Sequence, residues 1–120
     1  MKAWASLVAC DLILRARGFS SLRRFVARTA LNGRALDRDR TVRAMCAAVD
    51  AAAMFHVRSV ECIQRSAAIT RLLRRAGVPA VMVVGCRVLP LAGHAWVEVD
   101  GTVVNDRQAV KDLYPELMRF

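Results

Sequence analysis

The amino-acid sequence predicts an α+β fold in which N-terminal helices pack on a small antiparallel sheet. Three observations lead there. Apolar residues recur at helical spacing up to Ala76, the period changes after Pro79 to a β-branched run, and Asp100-Gly101 separates two apolar segments as a hairpin turn does. With 120 residues, 56% of them hydrophobic and 24% charged, the chain reads as a single globular domain, residues 1–120, too apolar and aperiodic for disorder or a fibre. Within it, residues 1–58 form a helical part and 59–120 a core helix with the sheet.

From Ala3 to Arg17, Leu7, Val8, Leu12 and Ile13 mark one helical face, and Gly18 is a stop. A second helix begins near Ser20-Ser21, with Leu22, Phe25, Val26 and Ala30 on one side and Arg23, Arg24 and Arg28 on the other. Residues 32–40 read as a polar connector. From Thr41 to Phe55, Val42, Met45, Cys46, Val49 and Ala53 form a third apolar face, where Cys46 behaves as a small hydrophobe. Ser59 is the expected N-cap of a fourth helix that ends at Gly77-Val78-Pro79. At 100° per residue its buried face holds Cys62, Ser66, Ile69, Leu73 and Ala76, with Gln64, Arg71, Arg74 and Arg75 elsewhere. Ala80–Val84, closed by Gly85, reads as a buried strand, residues 88–93 as a loop, and His94–Val99 with Thr102–Asp106 as a hairpin.

Nineteen Lys and Arg against ten Asp and Glu leave a net charge of +9, and seventeen of the cations are Arg, a residue suited to carboxylate or phosphate recognition. Residues 1–60 carry +7 of that excess. Cysteines at 10, 46, 62 and 86 match neither a metal knuckle nor a dense disulfide scaffold, which points to a reducing cytoplasm. Leu-Val-Ala-Cys10 imitates a lipoprotein cleavage site, but the apolar run before it is shorter than a signal h-region of roughly 7–15 residues. No stretch reaches the roughly 18 apolar residues of a membrane span.

The chemistry-bearing residues lie in the second half. Cys62 opens a helix, where unpaired backbone N–H groups favour a thiolate, although Glu61 opposes this with negative charge. A nucleophilic cysteine needs a base and a group to orient it. Only His56 and His94 are available, and His94 begins the hairpin that ends near Asp106. For His94 and Asp106 to stand opposite, paired numbers must sum to 200, which a three-residue loop Val99-Asp100-Gly101 with Gly101 as a G1 bulge supplies; a two-residue turn gives 201.

Cys62-Ile-Gln-Arg-Ser-Ala-Ala-Ile, the strand ending Val84-Gly85, His94-Ala-Trp-Val-Glu98 and Val104-Asn-Asp106 together resemble the transglutaminase-like cysteine peptidases of lasso-peptide biosynthesis, in particular the stand-alone leader peptidase. The likeness runs from about residue 56 to 110, and the helical first half fits only loosely. It implies a transglutaminase-like, papain-like catalytic core with the nucleophile at a helix N-terminus: Cys62 as nucleophile, His94 as base and then acid, and Asp106 orienting the imidazole; no cofactor is expected, and the spacing of Cys and His supports no metal ligand set. It also implies as partners the leader peptide of the precursor, a separate leader-recognition protein and an ATP-dependent macrolactam synthetase.

Other readings stay open. An acyl-enzyme resolved by an amine would make the chain a transferase, and the +9 charge suits a nucleic-acid- or peptide-binding module without catalysis, although no reader motif or interleaved aromatics accompany it. Trp96 is either core or a cleft wall. Asn105 and Gln64 are candidate oxyanion donors beside the backbone N–H of Cys62. Cys86 with His56 is a weak metal pairing. Arg71, Arg74 and Arg75 are either a solvated face or a docking surface for an acidic partner.

Overall fold

A computed structural model describes residues 2–54 and 61–120. Helices α1 (Lys2–Arg17), α2 (Phe19–Ala27), α3 (Arg38–Met54) and α4 (Cys62–Arg75) precede strands β1 (Ala80–Val88), β2 (Leu91–Val99) and β3 (Thr102–Val103), the short helix α5 (Val110–Leu113) and strand β4 (Glu116–Arg119). The sheet is antiparallel in the order β3-β2-β1-β4. Helix α4 lies across β1 and β2, and α1 and α3 pack on α4.

Strand alternation divides the interior in two. Ala80 and Met82 of β1 and Ala95, Val97 and Val99 of β2 face α4, joining Leu7, Cys10, Leu22, Val26, Val49, Ile69 and Leu73 in the main core. Val83, Trp96, Val103 and Val110 form a smaller cluster on the other face, with Val81 and Tyr114 against it. Period 2 sends neighbouring residues of one strand into different cores.

Several expectations shift. The buried face of α1 runs through Ala3, Ser6, Leu7, Cys10 and Asp11, and Leu12 is 59% exposed. Helix α3 begins at Arg38, inside the supposed connector, because the Asp37 carboxylate accepts the Arg40 N–H at 3.2 Å and supplies an N-cap. The first strand continues past Gly85 to Val88, and residues 91–93, expected in a loop, belong to β2, after a turn at Leu89-Pro90 whose peptide bond is cis. Helix α5 and strand β4 carry no strong local pattern. The latter is held by β1, with Phe120 and Met82 exchanging backbone hydrogen bonds of 2.9 and 2.7 Å. Among the described residues no helix is long and apolar enough to cross a membrane.

Candidate active site

Cys62 is the first residue of α4, and the N-cap is Glu61 rather than Ser59, which lies outside the described residues. Gln64 holds this turn in place. Its Oε1 accepts the Glu61 backbone N–H at 3.2 Å, and its Nε2 donates to Asp11 Oδ1 at 3.2 Å. Gln64 was expected away from the buried face but is 3% exposed, because buried Asp11 on α1, which also takes the Arg15 Nε at 2.6 Å, satisfies its amide. The end of α4 that carries the thiol is thereby pinned to α1.

His94 lies within β2 rather than at the start of a strand, directly across from Gly85 of β1. A Cβ at position 85 would sit 2.8 Å from the Tyr114 carbonyl oxygen and 2.9 Å from the Trp96 ring, so only glycine lets these groups close around the histidine. The His94 ring centroid lies 5.1 Å from that of Tyr114 and 6.2 Å from that of Trp96.

Asp106 reaches His94 by a route other than the expected register. Asp100 and Gly101, with φ of 49° and 79°, form a two-residue turn, and β3 pairs Val99 with Thr102 and Glu98 with Val103. These numbers sum to 201, not 200, which continued regularly would put Asp106 opposite Ala95. The chain instead bends at residues 104–106. The Val104 N–H still donates to the Val97 carbonyl at 2.9 Å, but the Val97 N–H donates to the Asn105 side chain Oδ1 at 2.8 Å, and the Val104 carbonyl accepts from the Cys46 thiol at 3.6 Å. Asn105 Nδ2 also donates to the Ser66 hydroxyl at 3.2 Å, tying the bend to α4. Out of this bend Asp106 Oδ2 meets His94 Nε2 at 2.6 Å, and its Oδ1 accepts the Arg107 N–H at 2.7 Å.

Cys62, His94 and Asp106 line one cleft of about 390 Å³, with Asp50, Arg65, Ala95 and Asn105. Since Nε2 faces Asp106, Nδ1 is the ring nitrogen left for another partner. Burial pushes the Asp106 carboxyl up, but the His94 hydrogen bond, the Arg107 N–H and the charges of both residues outweigh it and hold the group below its ordinary range.

The Transglutaminase-like superfamily model matches residues 4–119. The chain belongs to that superfamily. The match reaches through the helical first half, beyond the stretch in which the sequence likeness was legible. The Microcin J25-processing protein McjB of Escherichia coli is 38% identical over 52 residues, a match covering 43% of this chain and 25% of that protein. This transglutaminase-like chain thus aligns with about a quarter of its curated relative. No solved structure matches it.

The remaining cysteines of the transglutaminase-like chain sit elsewhere. Burial pushes the Cys10 thiol up to about 12 against the lowering charge of Arg71, and burial with the nearby Asp50 raises Cys46 to about 11. Cys86 is half-buried with its thiol on the Arg87 carbonyl at 3.5 Å, and His56 lies outside the described residues. Among the described residues no group of three His, Cys, Asp or Glu could hold a metal ion. Trp96 is core, 1% exposed, with its indole N–H on buried Glu98 at 2.8 Å. Arg71 and Arg74 are not a free solvated face: Arg71 stacks 3.7 Å from the Phe25 centroid and bonds Thr29 at 2.8 Å, while Arg74 bonds the Ala80 and Val26 carbonyls, each at 2.8 Å. Asp50 and Arg65, 3.8 Å apart, are cleft residues that sequence reasoning missed, since neither sits in a recognisable motif.

Proposed function

We propose that the chain is a cysteine peptidase that removes the leader from a lasso-peptide precursor through a thioester on Cys62. The observation carrying this reading is one cleft containing a helix-opening cysteine and a histidine held by a carboxylate at 2.6 Å. Similarity to a microcin-processing protein supports the substrate class.

In this mechanism the Cys62 proton passes to His94 Nδ1, and the sulfur attacks the scissile carbonyl. The oxyanion forms beside the Cys62 backbone N–H, one of the donors a helix start leaves without an intrahelical partner. Asp106 accepts a hydrogen bond from the Nε2–H while remaining ionised, fixing the ring and stabilising the imidazolium. Collapse breaks the C–N bond as His94 returns a proton to the leaving amine, which is the new N-terminus of the core peptide. Water, deprotonated by His94, then hydrolyses the thioester, freeing the leader carboxylate and the thiol. A separate leader-recognition protein delivers the precursor, and the macrolactam synthetase takes the freed core in the cytoplasm.

Mass spectrometry of precursor incubated with the chain and the recognition protein tests this. Two peptides whose masses total the precursor plus one water are expected, with a leader adduct on Cys62 at early times. The superfamily also favours a second reading, acyl transfer to an amine. A cross-linked product with ammonia released in place of two peptides would establish it.

A further inference from the structure

Helix α4 carries a second feature at its other end, roughly 20 Å from Cys62 at about 1.5 Å of rise per residue. A cavity of about 530 Å³ is lined by Lys2, Ser6, Asn32, Arg71 and Arg75, with an apolar floor that includes Ala5, Ala9 and Leu72. A neighbouring cavity of about 360 Å³ shares Asn32, Arg71 and Arg75 and adds Arg28, so the two form one groove. No carboxylate lines either cavity among the described residues.

The cations are not spent on the helix end. The Leu72 and Leu73 carbonyls accept the Ala76 N–H at 3.0 and 3.1 Å, and the Arg74 carbonyl accepts those of Asn32 and Gly77 at 2.9 and 3.2 Å. The Ser6 hydroxyl, in the groove wall, has no hydrogen-bond partner among the described residues, Ser6 is only 6% exposed, and an orphaned buried hydroxyl is costly unless a ligand meets it.

We propose that this groove binds an acidic peptide segment whose carboxylates meet Lys2, Arg28, Arg71 and Arg75 and whose apolar side chain rests on the alanine-lined floor. Charge complementarity selects an anion, and the apolar floor selects a peptide over a bare phosphate. Nucleic acid fits less well: among the described residues the one lining aromatic, Phe25, is already covered by the Arg71 guanidinium, which leaves no described ring of the groove for a base to stack on. The site does not rest on the chemistry proposed for Cys62.

Fluorescence anisotropy on the Cys62→Ala chain reads binding without turnover. The probe is a fluorescein-labelled Glu-Leu-Asp-Glu-Leu-Asp peptide. Its counterparts are the same peptide with Lys for every acid and an oligothymidylate of equal charge. The acidic peptide is expected to bind, more weakly as salt rises, and Lys2→Glu with Arg75→Glu to weaken it at least about tenfold. Arg75→Gln should give a smaller loss, Ala5→Trp should weaken binding by filling the floor, and Arg40→Glu, outside the groove, should change it less than about twofold. Far-UV circular dichroism confirms that each variant is folded. An affinity unchanged by the double charge reversal, equal binding of the Lys peptide, or tighter binding of the oligothymidylate would overturn the assignment.

Discussion

The two faces of β2 are built for different ends. Toward α4, Ala95, Val97 and Val99 present only hydrocarbon to the main core. On the other face His94, Trp96 and Glu98 form a polar ladder: Asp106 on His94, the Trp96 indole on Glu98 at 2.8 Å, and Arg119 within 3.5 Å of Glu98. One face does nothing but remove apolar area from water, whereas the other packs Trp96 into the smaller cluster and also holds oriented polar groups, with His94 in the cleft, yet both come from six consecutive residues. A strand can do this because its side chains alternate, so packing and chemistry vary independently.

Variants that separate rate from stability test that division. Cys62→Ala is expected to lower precursor cleavage at least about a thousandfold with an unchanged unfolding midpoint, because it removes the attacking atom from a half-buried position. His94→Ala should cost about as much. Asp106→Asn should cost less, about a hundredfold, since the orienting acid is the least expensive member of such a unit to lose. Full activity in any of the three would remove that residue from the mechanism, and unfolding of His94→Ala would merge the two faces into one structural unit.

On the helix side, Met82→Ala should lose about 2–5 kcal/mol in a denaturant titration while leaving the rate per folded molecule within a fewfold. Gly85→Ala acts on the His94 face, where packing and chemistry meet. Its new methyl would press on the Tyr114 and Pro115 carbonyls, so about 1–3 kcal/mol of stability and part of the cleavage rate should fall together. A Gly85→Ala variant with wild-type stability would show that the close approach of the C-terminal segment is dispensable.

The smallest effect is on pH. Since the Asp106 carboxyl is held below its ordinary range, its pairing with His94 contributes fully above the ordinary carboxylate range and is lost as pH falls through the depressed value. The acid limb of stability in Asp106→Asn should therefore be flatter than in the parent, measured as midpoint against pH. An identical acid limb would mean that the pair forms without adding to stability. Alkylation at neutral pH should spare Cys10 and Cys46, whose thiols are raised to about 12 and 11, until the chain unfolds.

What the sequence determined by itself was local. Periodicity placed four helices, a change of period placed the sheet, Asp100-Gly101 placed a turn with positive φ, and a cysteine opening a helix singled out Cys62. What the tertiary structure decided needed partners far along the chain. Asp106 turns toward His94 because Asn105 substitutes its side chain for a backbone acceptor and is tied to Ser66, while Cys46 takes the Val104 carbonyl. Gln64 is buried because Asp11, in another helix, satisfies it, and the half-buried Arg71 and Arg74 are held in place by Phe25, Thr29 and the Val26 and Ala80 carbonyls. β4 exists because β1 offers an edge to Glu116–Arg119. Period and turn chemistry are set by sterics within a few residues, whereas a hydrogen-bonding group's choice of partner depends on which distant donor or acceptor the folded chain brings within about 3 Å.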